Sequence, residues 1–158
     1  MTAQPPAVTV SHPPLAVLKL VNPFLRFLLG TPLLGPVREQ FMVLSFKGRK
    51  SGRQYTIPVS AHRIDDDLYA LTGAAWKGNF RGGATAEVLL GGKKTTMHGE
   101  VIQDRAATAD LFRRCAESYG VARAERMIGL KFRDRQIPSL DEFTQAIERD
   151  HLAAIRFT

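Results

Sequence analysis

Lys47, Arg49, Lys50 and Arg53 fall within seven residues that contain no acid and are punctuated by Gly48, Ser51 and Gly52. Glycine tolerates positive φ, so the backbone can turn tightly there and successive N–H groups can converge on an anion. Arginine and lysine side chains would add charge-assisted bonds to a phosphate or a carboxylate. The residues alone predict an anion site on a turn, against the plainer reading of a solvated basic hairpin tip. Other chemistry is thin. There is no P-loop, no G-x-S-x-G elbow and no H-E-x-x-H helix. His12, His62, His98 and His151 are scattered singly, and no Cys/His spacing suggests a metal site. Cys115 reads as a small core hydrophobe and Asp65-Asp66-Asp67 as a solvated turn. Nothing here supports hydrolysis.

The elements that must position the basic turn follow from periodicity. Residues 41–46 form a short apolar run, and 54–61 alternate with β-branched and aromatic residues, so both read as strands flanking the turn as a hairpin. Asp65 to Asp67 turn the chain into a strand over 68–72. A Gly/Ala-rich loop over 73–83 follows, carrying Trp76, Lys77, Asn79, Phe80 and Arg81. Residues 84–90 and 95–101 form another hairpin, joined through Gly91-Gly92-Lys93-Lys94. After Gln103 the period becomes helical. The reading is a helix over 104–119 with Asp104 as N-cap and Gly120 as stop, a weaker helix over 122–130, and a capping box at Ser139-Leu140-Asp141-Glu142 that opens a helix through Asp150. Residues 152–158 close the chain as a strand. Antiparallel strands, then helices, then a returning strand suggest a mainly β (α+β) fold, a small β-barrel with peripheral helices.

Composition bounds this picture. The chain has 158 residues, 44% apolar, with 22 Lys+Arg against 15 Asp+Glu for a net charge of +7. A chain of this length buries roughly 70% of its unfolded surface, enough for a core without disulfides or structural metal. A single cysteine excludes an intramolecular disulfide framework, and the default compartment is the cytoplasm. Residues 1–14, with four prolines, read as a flexible arm without the features of a signal peptide, and 15–158 as one domain.

Residues 15–34 are strongly apolar, but Lys19, Asn22, Pro23 and Arg26 interrupt them before the roughly 20 residues a spanning helix needs. Leu15, Leu18, Val21, Leu25, Leu28 and Leu29 fall at helical spacing, with Lys19 and Arg26 off that stripe. The resulting amphipathic helix either packs on the core or lies on a lipid surface, which would place the protein peripherally at the inner face of the plasma membrane. Nucleic acid is the other conceivable acidic partner. Aromatic residues are only 8% of the chain and do not interleave with the basic cluster, so no nucleic-acid partner is expected.

The run Phe46-Lys47-Gly48-Arg49-Lys50-Ser51-Gly52-Arg53, then a strand with Pro58, then a loop with Trp76 and Asn79-Phe80, resembles the deazaflavin-dependent nitroreductase family. The G-R-K-S-G turn is the most specific part of the likeness, which spans about 22–103. Asn22-Pro23 and Leu33-Leu34-Gly35 are similar to a branch with longer amino-terminal helices. The resemblance implies the split β-barrel fold shared with pyridoxamine-phosphate oxidases, and coenzyme F-420, a deazaflavin with a phosphate and a polyglutamate tail, as cofactor; FMN is the lesser alternative. It assigns Arg49, Lys50, Ser51, Gly52 and Arg53 to the anionic tail. Pro58, Val59 and Ser60 on the following strand, and Thr72, Gly73, Ala74, Ala75 and Trp76 in the loop, would line the ring, with Tyr55 and Asn79 as further cofactor-binding residues. The chain departs from the family pattern at Tyr55 and Ala74, where members often carry basic residues.

The activity so implied is hydride transfer from the reduced deazaflavin to a small apolar electrophile, a quinone, an enone or a nitro compound, with Tyr119 as candidate proton donor and a monomer or homodimer as the working assembly. The alternative from another class is a split-barrel protein that binds a lipid, fatty acid or cofactor without turnover.

Overall fold

The computed structural model describes residues 6–10 and 40–158. The amphipathic helix expected over 15–34, its lipid or core contacts, and His12 lie outside the described residues. In chain order the elements are β1 (Val8–Val10), β2 (Phe41–Lys47), β3 (Gln54–Ser60), β4 (His62–Ile64), β5 (Asp67–Thr72), a 3-10 helix (Ala75–Phe80), β6 (Ala84–Leu90), β7 (Lys93–Val101), α1 (Arg105–Tyr119), α2 (Val121–Ile128), β8 (Leu130–Phe132), α3 (Leu140–Asp150) and β9 (Ala153–Phe157). The chain forms two compact units. One holds 6–10, Leu71–Ala75 and Ile102–Ala154; the other holds 40–70, Trp76–Val101 and Ile155–Thr158.

The second unit is built on a seven-stranded sheet in the order β3-β2-β6-β7-β9-β5-β4, with antiparallel registered pairs. The outermost strands, β3 and β4, are separated in sequence by Ala61 alone, so the sheet must curl until its two edges nearly meet. The result is a half-barrel. Two-residue turns fix its registers: Gly91 and Gly92, at φ 60° and 77°, join Leu90 to Lys93, and Asp65 and Asp66, at φ 51° and 69°, join Ile64 to Asp67. Both residues at positive φ is the primed turn that matches strand twist. Asp65 to Asp67 is therefore a hairpin as well as a solvated turn. Pro58 sits on edge strand β3, where its missing N–H does least harm.

The concave face carries the core: Met42, Leu44 and Phe46 of β2, Ala86 and Val88 of β6, Leu68 and Ala70 of β5, with Phe80, Ile155 and Phe157. Phe80 meets Phe46 and Phe157 edge-on at centroid distances of 5.1 and 5.7 Å. Gly99 lies beneath this stack. A Cβ there would come within 2.7 Å of both Phe157 and Phe80, rings that are fully buried and cannot swing aside. Overpacking of this kind costs about 2 kcal/mol. Gly99→Ala is expected to lower the melting temperature by about 4–8 °C, read by circular dichroism, for a domain of this size; an unchanged midpoint would mean the stack is loose.

The first unit pairs β1 with β8, Val8 opposite Phe132 and Val10 opposite Leu130. The arm expected to be flexible thus contributes a strand. Val8 is buried, the Arg133 N–H donates to the Ala7 carbonyl at 2.9 Å, and the Arg149 guanidinium donates to the Val8 carbonyl. Its three residues, like those of β8, are too few to show a period in sequence, and their stability comes from long-range pairing. The caps behave as read. Asp104 accepts from the N–H groups of Ala106 and Ala107, and Ser139 and Glu142 form a reciprocal capping box. The helix expected over 122–130 stops at Ile128 because Gly129 turns left-handed at φ 73°, and β8 begins at once. Phe143 of α3 lies at the centre of this core, 6.4 Å from Phe112 and 6.1 Å from Phe132. Among the described residues no helix is long and apolar enough to cross a membrane.

Candidate functional site

The basic turn joins β2 to β3 at the end of the half-barrel where Lys47 faces Gln54. Gly48 is buried, and a Cβ on it would come within 2.6 Å of the Tyr55 ring and 2.9 Å of Ser51 Oγ, so a side chain there would have to displace both. Gly52 takes the left-handed φ of 70°. The backbone closes on itself: the Gly48 N–H donates to the Arg53 carbonyl (2.8 Å), the Gly52 N–H to the Gly48 carbonyl (2.9 Å), and the Arg53 N–H to Ser51 Oγ (3.2 Å).

The 3-10 helix completes the clamp. The Arg49 N–H donates to Asn79 Oδ1 (2.8 Å), Asn79 Nδ2 donates to the Trp76 carbonyl (2.8 Å), and the Arg49 guanidinium donates to the Arg81 carbonyl (2.5 Å). These bonds narrow the expected cradle of converging N–H groups. The amides of Gly48, Arg49, Gly52 and Arg53 are engaged in building the turn, which leaves the side chains and the amides of Lys50 and Ser51 to meet an anion.

Those side chains form a larger cluster than the sequence suggested. The clamp brings Arg81 beside Arg49, and Lys77 lies near enough to Arg81 to feel its charge, on the loop that the turn is bonded to. Partial burial, then the positive charge of Arg81, hold the Lys77 ammonium below its ordinary pKa. Among the described residues none of Lys47, Arg49, Lys50, Arg53 and Arg81 forms an ion pair with a carboxylate. Lys77 and Arg81 were visible in sequence only as scattered loop cations. Their convergence on the turn needs the contact between residues 49 and 79, a long-range fact.

The remaining expected site residues divide. Tyr55 is exposed over part of its ring and stacks on Phe46 at 5.8 Å. Val59 turns into the core, so by strand alternation Pro58 and Ser60 face the other side, and the three do not share one surface. Trp76 packs against the core, 6.1 Å from Phe46 and edge-on to Phe80 at 6.0 Å, while Asn79 acts as the clamp just described. Ala75 is exposed at the start of the 3-10 helix.

Thr72, Gly73 and Ala74 belong to the other unit. There they line a cavity of about 400 Å³ with Leu71, Phe112, Ile128 and Leu152 among its walls. The Thr72 hydroxyl accepts from the Ala74 N–H at 3.0 Å. A Cβ on Gly73 would meet Leu152 at 3.0 Å and the Asp150 carbonyl at 3.3 Å, so the absence of a side chain there follows from packing.

Tyr119, the candidate proton donor, ends α1 with the Arg123 guanidinium 5.1 Å above its ring. Burial first, and then Cys115, push its phenol pKa up, which makes it a poorer acid. Cys115 beside it is 2% exposed, and burial pushes its thiol up to about 12, so it is an inert core residue. His62 is also a core residue, 1% exposed, and His151 caps α3 in left-handed conformation. Among the described residues no group of His, Cys, Asp or Glu is placed to hold a metal ion. No protein-family model matches this chain, and no curated protein matches it.

Proposed function

We propose that the protein is a deazaflavin-dependent oxidoreductase of the split-barrel kind, with the basic turn as the seat of the cofactor's anionic tail. The observation that carries this reading is the group of five cations, without carboxylate partners among the described residues, around a hydrogen-bonded turn at one end of a half-barrel. A long polyanion fits two basic loops better than a single phosphate would, which favours F-420 over FMN. Lys50 and Arg53 would hold phosphate and glutamate oxygens, while Asn79 and the Arg49 backbone keep the turn in place. The bound cofactor supplies the hydride, and the protein's part is to orient it and exclude water. The substrate in this reading is a small apolar electrophile.

Fluorescence titration with oxidised F-420 and, separately, with FMN tests the reading. Micromolar affinity for F-420 and none for FMN is expected. Silence with both would remove the oxidoreductase reading altogether.

A further inference from the structure

A second cavity, of about 680 Å³, opens at the other end of the half-barrel. The registers place it there. Ser45 pairs with Glu87 toward the basic turn, whereas Met42 pairs with Leu90 at the opposite end, next to the Gly91-Gly92 hairpin that borders the cavity. Its floor is apolar, made by Leu68, Val88, Leu90, Met97 and Phe157.

The same registers reveal cations where a barrel should have core. Residues directly paired across antiparallel strands share a face. Lys93 pairs with Leu90, Thr95 with Val88, and Arg63 with Leu68, so all three lie on the concave face. Each is exposed although its partner packs in or against the core. Among the described residues neither Arg63 nor Lys93 forms an ion pair. Two acids, Asp66 and Asp67, stand at the lip: Asp66 is in the turn, and Asp67, paired with Ile64, is on the opposite face to Arg63. Exposed cations on the concave face above an apolar floor set positive charge and apolar surface side by side, and the lip acids limit the negative charge a ligand can carry.

We propose that this cavity binds a small amphipathic monoanion, a carboxylate on an aliphatic or aryl body. The body lies on Leu68, Val88, Met97 and Phe157, and the carboxylate takes charge-assisted bonds from Arg63 and Lys93 with the Thr95 hydroxyl as a further donor. The proposal is independent of the basic turn and of any cofactor, so the two readings can fail separately.

Titration of the full chain with decanoate and with decanol, followed by methyl and amide chemical shifts, tests it. Decanoate is expected to shift Leu68, Leu90 and Met97 and to bind at least about tenfold tighter than decanol, as two charge-assisted contacts imply. The Arg63→Met/Lys93→Met double variant should bring decanoate to the decanol affinity and leave decanol unchanged. Thr95→Phe, which fills the cavity from an exposed position, should abolish the shifts while the melting temperature holds. Equal affinity for the acid and the alcohol, undiminished decanoate binding by the double variant, or shifts confined to other residues would each overturn the proposal.

Discussion

Reversing two charges in the basic turn, Lys50→Glu with Arg53→Glu, is expected to weaken F-420 binding by at least about 100-fold, since hydrogen bonds to charged groups are worth about 1.5–3 kcal/mol each and reversal adds repulsion. The pair is chosen because these side chains make no hydrogen bond or ion pair among the described residues. The turn's own bonds run through Gly48, Arg49, Ser51, Gly52 and Asn79, with Arg53 contributing only its backbone. The double variant should therefore melt with the wild type, within about 2 °C, as surface substitutions generally do. Arg49→Glu is the less clean choice, because its guanidinium holds the Arg81 carbonyl. In wild type the affinity should also fall as salt rises through the range where the Debye length shrinks to about 8 Å and below. Unchanged affinity in the double variant would place the tail elsewhere.

The second large effect is on acid stability. His62 is 1% exposed on β4, and burial lowers its pKa from 6.5 to about 4. Between those values the unfolded chain takes up a proton that the native state refuses, so the unfolded state binds more protons and stability falls as pH is lowered. The contribution is fully present above about pH 6.5 and lost by about pH 4. A separation of about 2.5 pKa units at about 1.4 kcal/mol each is roughly 3–4 kcal/mol, a large part of a small domain's stability. Carboxylates add acid sensitivity of their own, so the comparison is with His62→Gln, which removes only this titration. Urea midpoints from pH 7 to 4 should fall more steeply in wild type than in the variant. Parallel slopes would show that His62 protonates without opening the core.

Much of the scaffold was legible because its signals are local. The apolar run over 41–46 and the alternation over 54–61 marked the strands around the turn, and Asp104, Gly120 and Ser139 marked helix ends whose caps are formed as read. The three-residue strands β1, β4 and β8 were not legible, since three residues carry no period and each is held by a partner or a covalent neighbour distant from any pattern. The same distinction runs through the site. Four cations of the turn stood together in sequence, whereas Lys77 and Arg81 join them only through the contact between Arg49 and Asn79. Backbone N–H groups available by glycine count alone turned out to be engaged in closing the turn. Lys93 read as a turn residue until its pairing with Leu90 placed it on the concave face, and Arg63 became inward-facing by the same logic once β4 was registered on β5.

The central claim is that the basic turn recognises the cofactor's tail, and comparing intact F-420 with the same deazaflavin lacking phosphate and glutamates addresses it most directly. Isothermal titration at low salt should give an affinity for the intact cofactor at least about 100-fold above that of the tail-less compound, the worth of two or more charge-assisted contacts. Equal affinities would contradict the account, because the turn's cations would then have no part in binding.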